Sequence, residues 1–217
     1  MRPLLALDLY LVTDHDLCGT RGVEAVVAEA VAGGVTMVQL RDDVTPDAAL
    51  VTLARRLVTL LKPTGVPLIV NNRVEVAIAA EAAGVHVGQS DTSAAPVRNR
   101  LGPAAIVGLS ITAAEQLAAV PAGMVDYLGV GPVFTTATKP DAAPAMGLAG
   151  LAEIRARTEL PIVAIGGLSE ANAGSAIAAG ADGVAVVSAI CSAGSPRSAA
   201  QELLGLVRAA RQGGTGL

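Results

Sequence analysis

The sequence predicts a single α/β domain over residues 1–217, folded as a closed (β/α)₈ barrel of the TIM type. Eight short runs rich in β-formers alternate with longer segments rich in Ala, Leu and Arg. These runs are almost wholly apolar, as expected for parallel strands covered on both faces. No shift in composition marks a second domain. An open doubly wound sheet would also alternate, but it rarely needs eight strands in 217 residues.

The elements follow in order along the chain. The strands are predicted at 8–12, 36–40, 68–70, 84–87, 106–109, 127–130, 162–165 and 183–187. The helices are predicted at 23–32, 46–61, 74–83, 94–101, 113–119, 148–157, 171–179 and 198–210. Pro46 fits a first helical turn, and Gly33, Gly84 and Gly180 are predicted to end helices. The Gly-rich residues 211–217 are expected to form a frayed tail.

The composition excludes some classes of binding partner and indicates a cellular location. A net charge of −4 and only three aromatic residues argue against binding nucleic acid. The longest uncharged runs have 14 residues, fewer than the roughly 20 that a membrane span needs. Two cysteines without a metal-binding spacing, and the lack of a signal-peptide pattern, lead us to expect a cytoplasmic protein.

Polar residues capable of chemistry follow the predicted strands, whereas Gly and Pro precede them. In a barrel, the loops at the carboxyl ends of the strands build the active site. The candidates at these ends include Gln39, Arg41, Asp43, Asn71, Asn72, His86, Asp91 and Ser110. The sequence therefore predicts a site at this end. His86 is either catalytic there or a hydrogen-bonded core residue.

Two segments have the residues of a phosphate site. Gly166 and Gly167 end the seventh strand before a helix, where backbone N–H groups can face an anion, and Ser188 ends the eighth strand. The second segment, 135–139, offers threonine hydroxyls and Lys139, one of only two lysines in the chain. The alternatives are a tight turn with a helix cap and a polar surface loop. Asp91 either binds Mg²⁺ beside a diphosphate or only caps the next helix.

An ordered series of motifs resembles the thiamine-phosphate synthase family. It covers residues 9–190 without large gaps, and no single motif is decisive. The segments that carry the resemblance are YLVTD at 10–14, GGVTMVQLR at 33–41, NNRVEVA at 71–77, GVHVGQSD at 84–91, VGPVFTTATK at 130–139, AIGG at 164–167 and GADGVAVVSAI at 180–190.

The resemblance implies a transferase that joins a pyrimidine diphosphate to a thiazole phosphate, with Mg²⁺ and with pyrophosphate leaving first. It implies diphosphate or phosphate contacts from Arg41, Asn71, Thr136, Thr138 and Lys139. It implies pyrimidine contacts from Gln39 and Ser110, thiazole-phosphate contacts from Gly167, Val187 and Ser188, and a magnesium ligand in Asp91. The residues expected to act in catalysis itself are Arg41, Ser110 and Lys139.

Two positions depart from the family pattern. Asn72 stands where the family usually has Asp, a second magnesium ligand. Asp43 stands where the family usually has Lys, a pyrophosphate ligand. Either Asp43 replaces the missing metal carboxylate, so that Asp43, Asn72 and Asp91 form the metal site, or the site is weakened in a paralogue.

Two other functions stay open. A related thiazole tautomerase shares the barrel but usually has His where this chain has Thr112. A non-catalytic binder of phosphorylated ligands is favoured only by Asn72 and Asp43. The expected partners are small phosphorylated molecules, and the sequence leaves open whether the chain forms a homo-oligomer.

Overall fold

A computed structural model of the chain describes residues 5–139 and 142–213. Its centre is a closed barrel of eight parallel strands, in which each strand pairs with the next and the last pairs with the first. The strands are β1 (Leu9–Val12), β2 (Met37–Leu40), β3 (Leu68–Asn71), β4 (Gly84–Val87), β5 (Ile106–Ile111), β6 (Tyr127–Val130), β7 (Ile162–Ile165) and β8 (Gly183–Val186). The predicted fold class is confirmed. The pairing of β1 with β8 excludes an open sheet.

Helices connect the strands along the outside of the barrel. They are α1 (His15–Cys18), α2 (Gly22–Ala32), α3 (Asp47–Leu61), α4 (Val74–Ala80), α5 (Ala94–Leu101), α6 (Gly147–Arg155), α7 (Ala173–Ala178), α8 (Ser188–Cys191) and α9 (Pro196–Gly213). Short 3₁₀ segments lie at Gly19–Arg21, Lys62–Thr64 and Ala114–Ala119. The short helices α1 and α8, which directly follow β1 and β8, are absent from the sequence prediction. Within the described residues, no helix combines the length and apolarity needed to cross a bilayer.

Several predicted element ends need correction. The predicted helix at 113–119 is a 3₁₀ segment, at whose start the Gln116 side chain accepts hydrogen bonds from the N–H groups of Thr112 and Ala113. Gly84 does not end a helix. The helix α4 stops at Ala80, and Glu81 makes the turn with a left-handed φ of 55°. Glycine is needed at position 84 because a Cβ there would lie 1.9 Å from the carbonyl oxygen of Ile106.

The carboxyl end of the chain is helical as far as the structure describes it. Gly213 is the last residue of α9, so residues 211–213 of the expected frayed tail continue this helix. Arg211 forms an ion pair with Asp8, which precedes β1. Residues 214–217 of the expected tail lie outside the described residues.

Apolar side chains form two layers, one between the strands and the helices and one inside the barrel. The inner layer contains Leu7, Tyr10, Val12, Met37, Ile69, Ile106, Tyr127, Val163 and Ala185. Because side chains alternate along each strand, the residues two and four positions beyond these inner-layer residues also face the lumen. Gln39, Asn71 and Ser110 are therefore aimed into the lumen near the carboxyl ends of their strands.

The amino end of the barrel is held by arginine–aspartate pairs. Arg98 of α5 pairs with Asp126, whose carboxylate also accepts the N–H of Val107 at 2.7 Å. Arg155 of α6 pairs in the same way with Asp182 at 3.2 Å. These carboxylates pair with arginines and with strand N–H groups, so this end has a structural role. The candidate site residues lie at the opposite end.

Candidate active site

Three loops at the carboxyl end of the barrel enclose a cleft of about 510 Å³. They follow β6, β7 and β8, and a residue of α1 completes the wall. The lining residues are Leu17, Thr135, Thr136, Ala137, Thr138, Gly167, Leu168, Ser169, Glu170, Ser188 and Ala189. The structure thus brings the two phosphate-type segments into one cleft. Sequence reasoning missed Leu17, because only the closed barrel places α1 beside β8. It also missed Glu170, which lies in the loop after β7, three residues beyond Gly167.

A glycine pair makes this cleft possible. Gly166 and Gly167 have left-handed φ values of 96° and 63°. A Cβ on Gly166 would lie 2.4 Å from the Cβ of Pro132, and one on Gly167 would lie 2.5 Å from the carbonyl oxygen of Thr135. The loops after β6 and β7 can therefore pack directly on each other. The Thr136 hydroxyl, in the loop after β6, accepts the N–H of Thr138 at 3.3 Å.

The Arg41 guanidinium is fixed at the same end of the barrel by the loop after β1. Its Nη2 donates to the Asp14 carboxylate at 2.8 Å, and both side chains are about one-fifth exposed (18% and 22%). The N–H of Arg41 donates to the Thr13 hydroxyl at 3.1 Å. Asp14 also caps α1 by accepting the N–H of Leu17. Arg41 is thereby held partly exposed at the mouth of the barrel, where it can also reach an anion.

Asp91 and Asn72 follow the neighbouring strands β4 and β3. One Asp91 carboxylate oxygen accepts the N–H of Gly88 at 2.7 Å. Asn72 has a left-handed φ of 57°, and its N–H donates to the His86 carbonyl at 2.9 Å. The Asn72 Oδ1 is buried and has no hydrogen-bond partner within the described residues. An unpartnered buried oxygen is costly, so its presence suggests a ligand.

The two aspartates after β2 have different surroundings. Asp42 accepts the N–H groups of Val44 and Thr45 at 3.0 and 2.8 Å. Partial burial raises the pKa of Asp42, but the hydrogen bonds from Thr45 and Val44 outweigh it, and the net pKa is lowered. Asp43, by contrast, is exposed. In the part of the chain that the structure describes, no three His, Cys, Asp or Glu side chains form a metal-binding group.

The remaining predicted residues also lie at the carboxyl ends of strands. Asn71 ends β3, Val187 lies between β8 and α8, and both are half-buried. Lys139 is exposed in the loop between β6 and α6. Gln39 is buried near the end of β2, and its amide nitrogen donates to the Tyr10 hydroxyl at 2.8 Å.

His86 is a buried residue of the barrel lumen. Its Nδ1 lies 2.9 Å from the Tyr127 hydroxyl, and its Nε2 lies 2.9 Å from the Ser110 hydroxyl. Burial lowers the pKa of His86 to about 4, so the ring is neutral at neutral pH. Of the two interpretations offered by the sequence, the contacts support a hydrogen-bonded core residue, and one of its partners is the predicted site residue Ser110.

Sequence reasoning missed the two tyrosines of the lumen. Burial raises the pKa values of Tyr10 and Tyr127, so both phenols stay protonated. A Cβ on Gly108 would lie 2.4 Å from the Tyr127 hydroxyl, and one on Gly129 would lie 2.8 Å from the His86 ring. The sequence did contain a signal for these rings. Gly108 and Gly129 face inward on strands close to His86, and glycines at such positions leave room in the lumen for large side chains.

Comparison with known proteins agrees with these observations. A family model described as thiamine monophosphate synthase matches residues 9–190. A thiamine-phosphate synthase of Xanthobacter autotrophicus is 54% identical over 205 residues, covering 94% of this chain and 97% of the relative. One from Azorhizobium caulinodans is 50% identical over 206 residues, covering 95% and 97%. A solved thiamine phosphate pyrophosphorylase from Pyrococcus furiosus superposes with a TM-score of 0.85 at 33% identity, covering 94% of this chain and 96% of that chain.

Proposed function

Because the chain belongs to the thiamine monophosphate synthase family, we infer that it catalyses the coupling that gives thiamine phosphate. The substrates are 4-amino-2-methyl-5-hydroxymethylpyrimidine diphosphate and 4-methyl-5-hydroxyethylthiazole phosphate, and pyrophosphate is the second product. The observation that carries this inference is the family match over residues 9–190. The relatives of about 50% identity span nearly the whole chain, which disfavours the tautomerase alternative.

The reaction needs a leaving group more than it needs a nucleophilic side chain. The bond between the pyrimidine methylene carbon and the diphosphate oxygen breaks, and both electrons leave with the diphosphate. The thiazole nitrogen then forms the new carbon–nitrogen bond with its lone pair. Groups that stabilise charge on the departing diphosphate therefore lower the barrier more than they strengthen binding of the substrate.

We propose that Arg41 and Lys139 supply the positive charge for the diphosphate. Arg41 is supported by its position at the mouth of the barrel, where Asp14 holds the guanidinium in one orientation. Thr136, Thr138 and Asn71 would add neutral hydrogen-bond donors around the same oxygens. A charge-assisted hydrogen bond is roughly twice as strong as a neutral one, so the two cations should dominate.

We propose that Gly167, Val187 and Ser188 bind the phosphate of the thiazole substrate. Gly167 and Ser188 line the 510 Å³ cleft from two adjacent loops. Phosphate groups in (β/α)₈ barrels commonly bind after strands seven and eight. Glu170 also lines this cleft, and its negative charge would repel a phosphate placed next to it.

We propose that Asp91 and Asn72 hold Mg²⁺ beside the diphosphate, with Asp43 as the further carboxylate. The donor set fits the ion, because Mg²⁺ prefers oxygen ligands and needs only one or two carboxylates when phosphates complete its shell. The unpartnered Asn72 Oδ1 supports the same assignment. When bound, Mg²⁺ would neutralise part of the charge on the diphosphate. The exposed Asp43 side chain takes no part in the hydrogen bonds by which Asp42 closes the turn, so it can rotate toward the diphosphate.

Two further parts of the proposal concern the domain organisation and the cellular location of the chain. We propose that residues 1–217 act as one domain in the cytoplasm. Support comes from the closed barrel and from Cys18 and Cys191, which are both free and buried.

A coupling assay tests the function directly. The purified chain is incubated with both substrates and saturating Mg²⁺, and thiamine phosphate and pyrophosphate are quantified. We expect equimolar formation of both products and loss of turnover with a chelator. Binding of the substrates without product would instead identify a non-catalytic binder, and turnover that is insensitive to chelation would refute the metal assignment alone.

A further inference from the structure

An unbroken chain of hydrogen bonds crosses the barrel lumen. It runs from Gln39 through Tyr10, Tyr127 and His86 to Ser110. The Gln39 amide nitrogen lies 2.8 Å from the Tyr10 hydroxyl, which lies 2.9 Å from the Tyr127 hydroxyl. The Tyr127 hydroxyl and the Ser110 hydroxyl each lie 2.9 Å from one nitrogen of the His86 ring. Gln39 and Ser110, for which the family resemblance implies contacts with the pyrimidine, are thus the two ends of one chain.

The barrel is built around this chain. Tyr10 and Tyr127 are among the largest side chains that are fully buried, and Gln39 and His86 are 5% and 8% exposed. Their rings fit because β5 and β6 carry glycine at positions 108 and 129, where any side chain would collide with them. The glycines make room for the rings, and the four hydrogen bonds connect their polar atoms into one buried structure. Its possible arrangements depend on where its protons are placed.

Each phenol has one proton, and this restricts the possible arrangements. The Gln39 amide nitrogen can only donate, so the Tyr10 oxygen accepts and the Tyr10 proton must go to Tyr127. The Tyr127 proton must then go to His86 Nδ1, because otherwise it would be buried without an acceptor, which is unfavourable. A neutral His86 then carries its proton on Nε2 and donates it to Ser110. All four hydrogen bonds are then donated in the same direction along the chain. The Ser110 hydroxyl proton is not used within the chain, so it can be donated to a ligand.

We propose that Tyr10 and Tyr127 are positioning residues that transmit this direction across the barrel, so that Gln39 presents its carbonyl oxygen and Ser110 presents its proton to the substrate. Reversing the Gln39 amide would reverse every bond and exchange both roles. The two directions therefore present different groups at Gln39 and at Ser110. A ligand that needs an acceptor at one of these positions and a donor at the other binds to the protein in only one of the two hydrogen-bond arrangements.

The proposal rests on the function inferred above, because it names the substrate edge that is read. A 4-aminopyrimidine offers an amino group that donates next to a ring nitrogen that accepts. The carbonyl oxygen of Gln39 and the proton of Ser110 complement that edge. The thiazole substrate has no such donor–acceptor pair, so the chain of bonds should affect recognition of the pyrimidine alone.

Steady-state kinetics of Tyr10→Phe and Tyr127→Phe test the positioning role. Each variant removes one buried oxygen, and we expect KM for the pyrimidine diphosphate to rise about fivefold to tenfold, the value of one hydrogen bond, with KM for the thiazole phosphate unchanged. The matched control is Thr36→Val, which removes a hydroxyl bonded to both backbone groups of Leu9 at the other end of the barrel. It should lower thermal stability and leave both KM values unchanged.

A double variant separates positioning from loss of packing. If Tyr127 acts through Ser110, adding Tyr127→Phe to Ser110→Ala should leave KM for the pyrimidine diphosphate within about twofold of the single Ser110→Ala variant. Full additivity would overturn the proposal. So would equal changes in the two KM values, or no change in either variant.

Nitrogen NMR of histidine-labelled protein provides a test that does not need turnover. The chain has two histidines, and His15→Asn assigns the signals. We expect His86 to be protonated on Nε2 in the unmodified chain and to become a mixture of tautomers in Tyr127→Phe. Protonation on Nδ1 would overturn the proposed direction. If the chain makes no thiamine phosphate, the proposed function fails, and the NMR result still decides the direction.

Discussion

Acid should destabilise the folded chain through His86 in particular. Burial lowers its pKa from 6.5 to about 4, so protonation favours the unfolded state. The stabilising contribution is complete above pH 6.5 and is lost as the pH falls toward 4. Linkage gives a loss of about 2 kcal/mol between pH 7.5 and 5, and about 3 kcal/mol in full.

The measurement is urea unfolding at pH 7.5, 6.5, 5.5 and 5.0 for the unmodified chain and for His86→Asn. We expect the free energy of unfolding of the unmodified chain to fall about 2 kcal/mol more than that of His86→Asn over this range. His15→Asn is the matched control, because the His15 side chain is 72% exposed and should follow the unmodified chain. Parallel curves for the unmodified chain and His86→Asn would refute the reasoning.

Three further substitutions test the site and the opposite end of the barrel. Asp43→Ala should lower turnover tenfold or more, about 1.4 kcal/mol, and weaken the dependence on Mg²⁺. The control is Asp16→Ala, which should leave turnover unchanged because the Asp16 side chain is 99% exposed. Unchanged kinetics of Asp43→Ala would mean that Asp43 is only a surface charge. Lys139→Ala should reduce kcat/KM far more than Lys62→Ala, and equal small losses in the same assay would remove Lys139 from the site. Arg98→Met should lower the free energy of unfolding in urea by about 3 kcal/mol or more, because the buried carboxylate of Asp126 loses its counter-charge. Both KM values should stay unchanged. A changed KM would mean that the two ends of the barrel are coupled.

The strands were predictable because they are buried on both faces. Continuous apolar runs predicted the observed first residue for six of them, the strands that begin at Leu68, Gly84, Ile106, Tyr127, Ile162 and Gly183. The helix ends were less predictable, since they depend on contacts between distant residues. Gly84 illustrates this, because its need for glycine comes from the carbonyl of Ile106 on the next strand. The hydrophobic periodicity of a single segment cannot predict a close contact with a residue on another strand.

The site was predictable as a set of strand ends but not as a set of contacts. The alternation of side chains identifies Gln39 and Ser110 as facing inward, yet nothing local connects them. The link through Tyr10 and Tyr127 requires strands β1, β2, β4, β5 and β6 to be closed around one lumen. In the same way, Asp42 and Asp43 are adjacent in sequence, and only the folded loop shows which of them holds a turn.

The closure of the barrel has a consequence for synthesis of the chain. Leu17, near the beginning, and Ser188, near the end, line the same cleft, and β1 must pair with β8. A ribosome therefore has to release nearly the whole polypeptide before the cleft can exist. We expect prematurely terminated products to be inactive however well their early strands form, so translation that stops before the eighth strand yields no partially working enzyme.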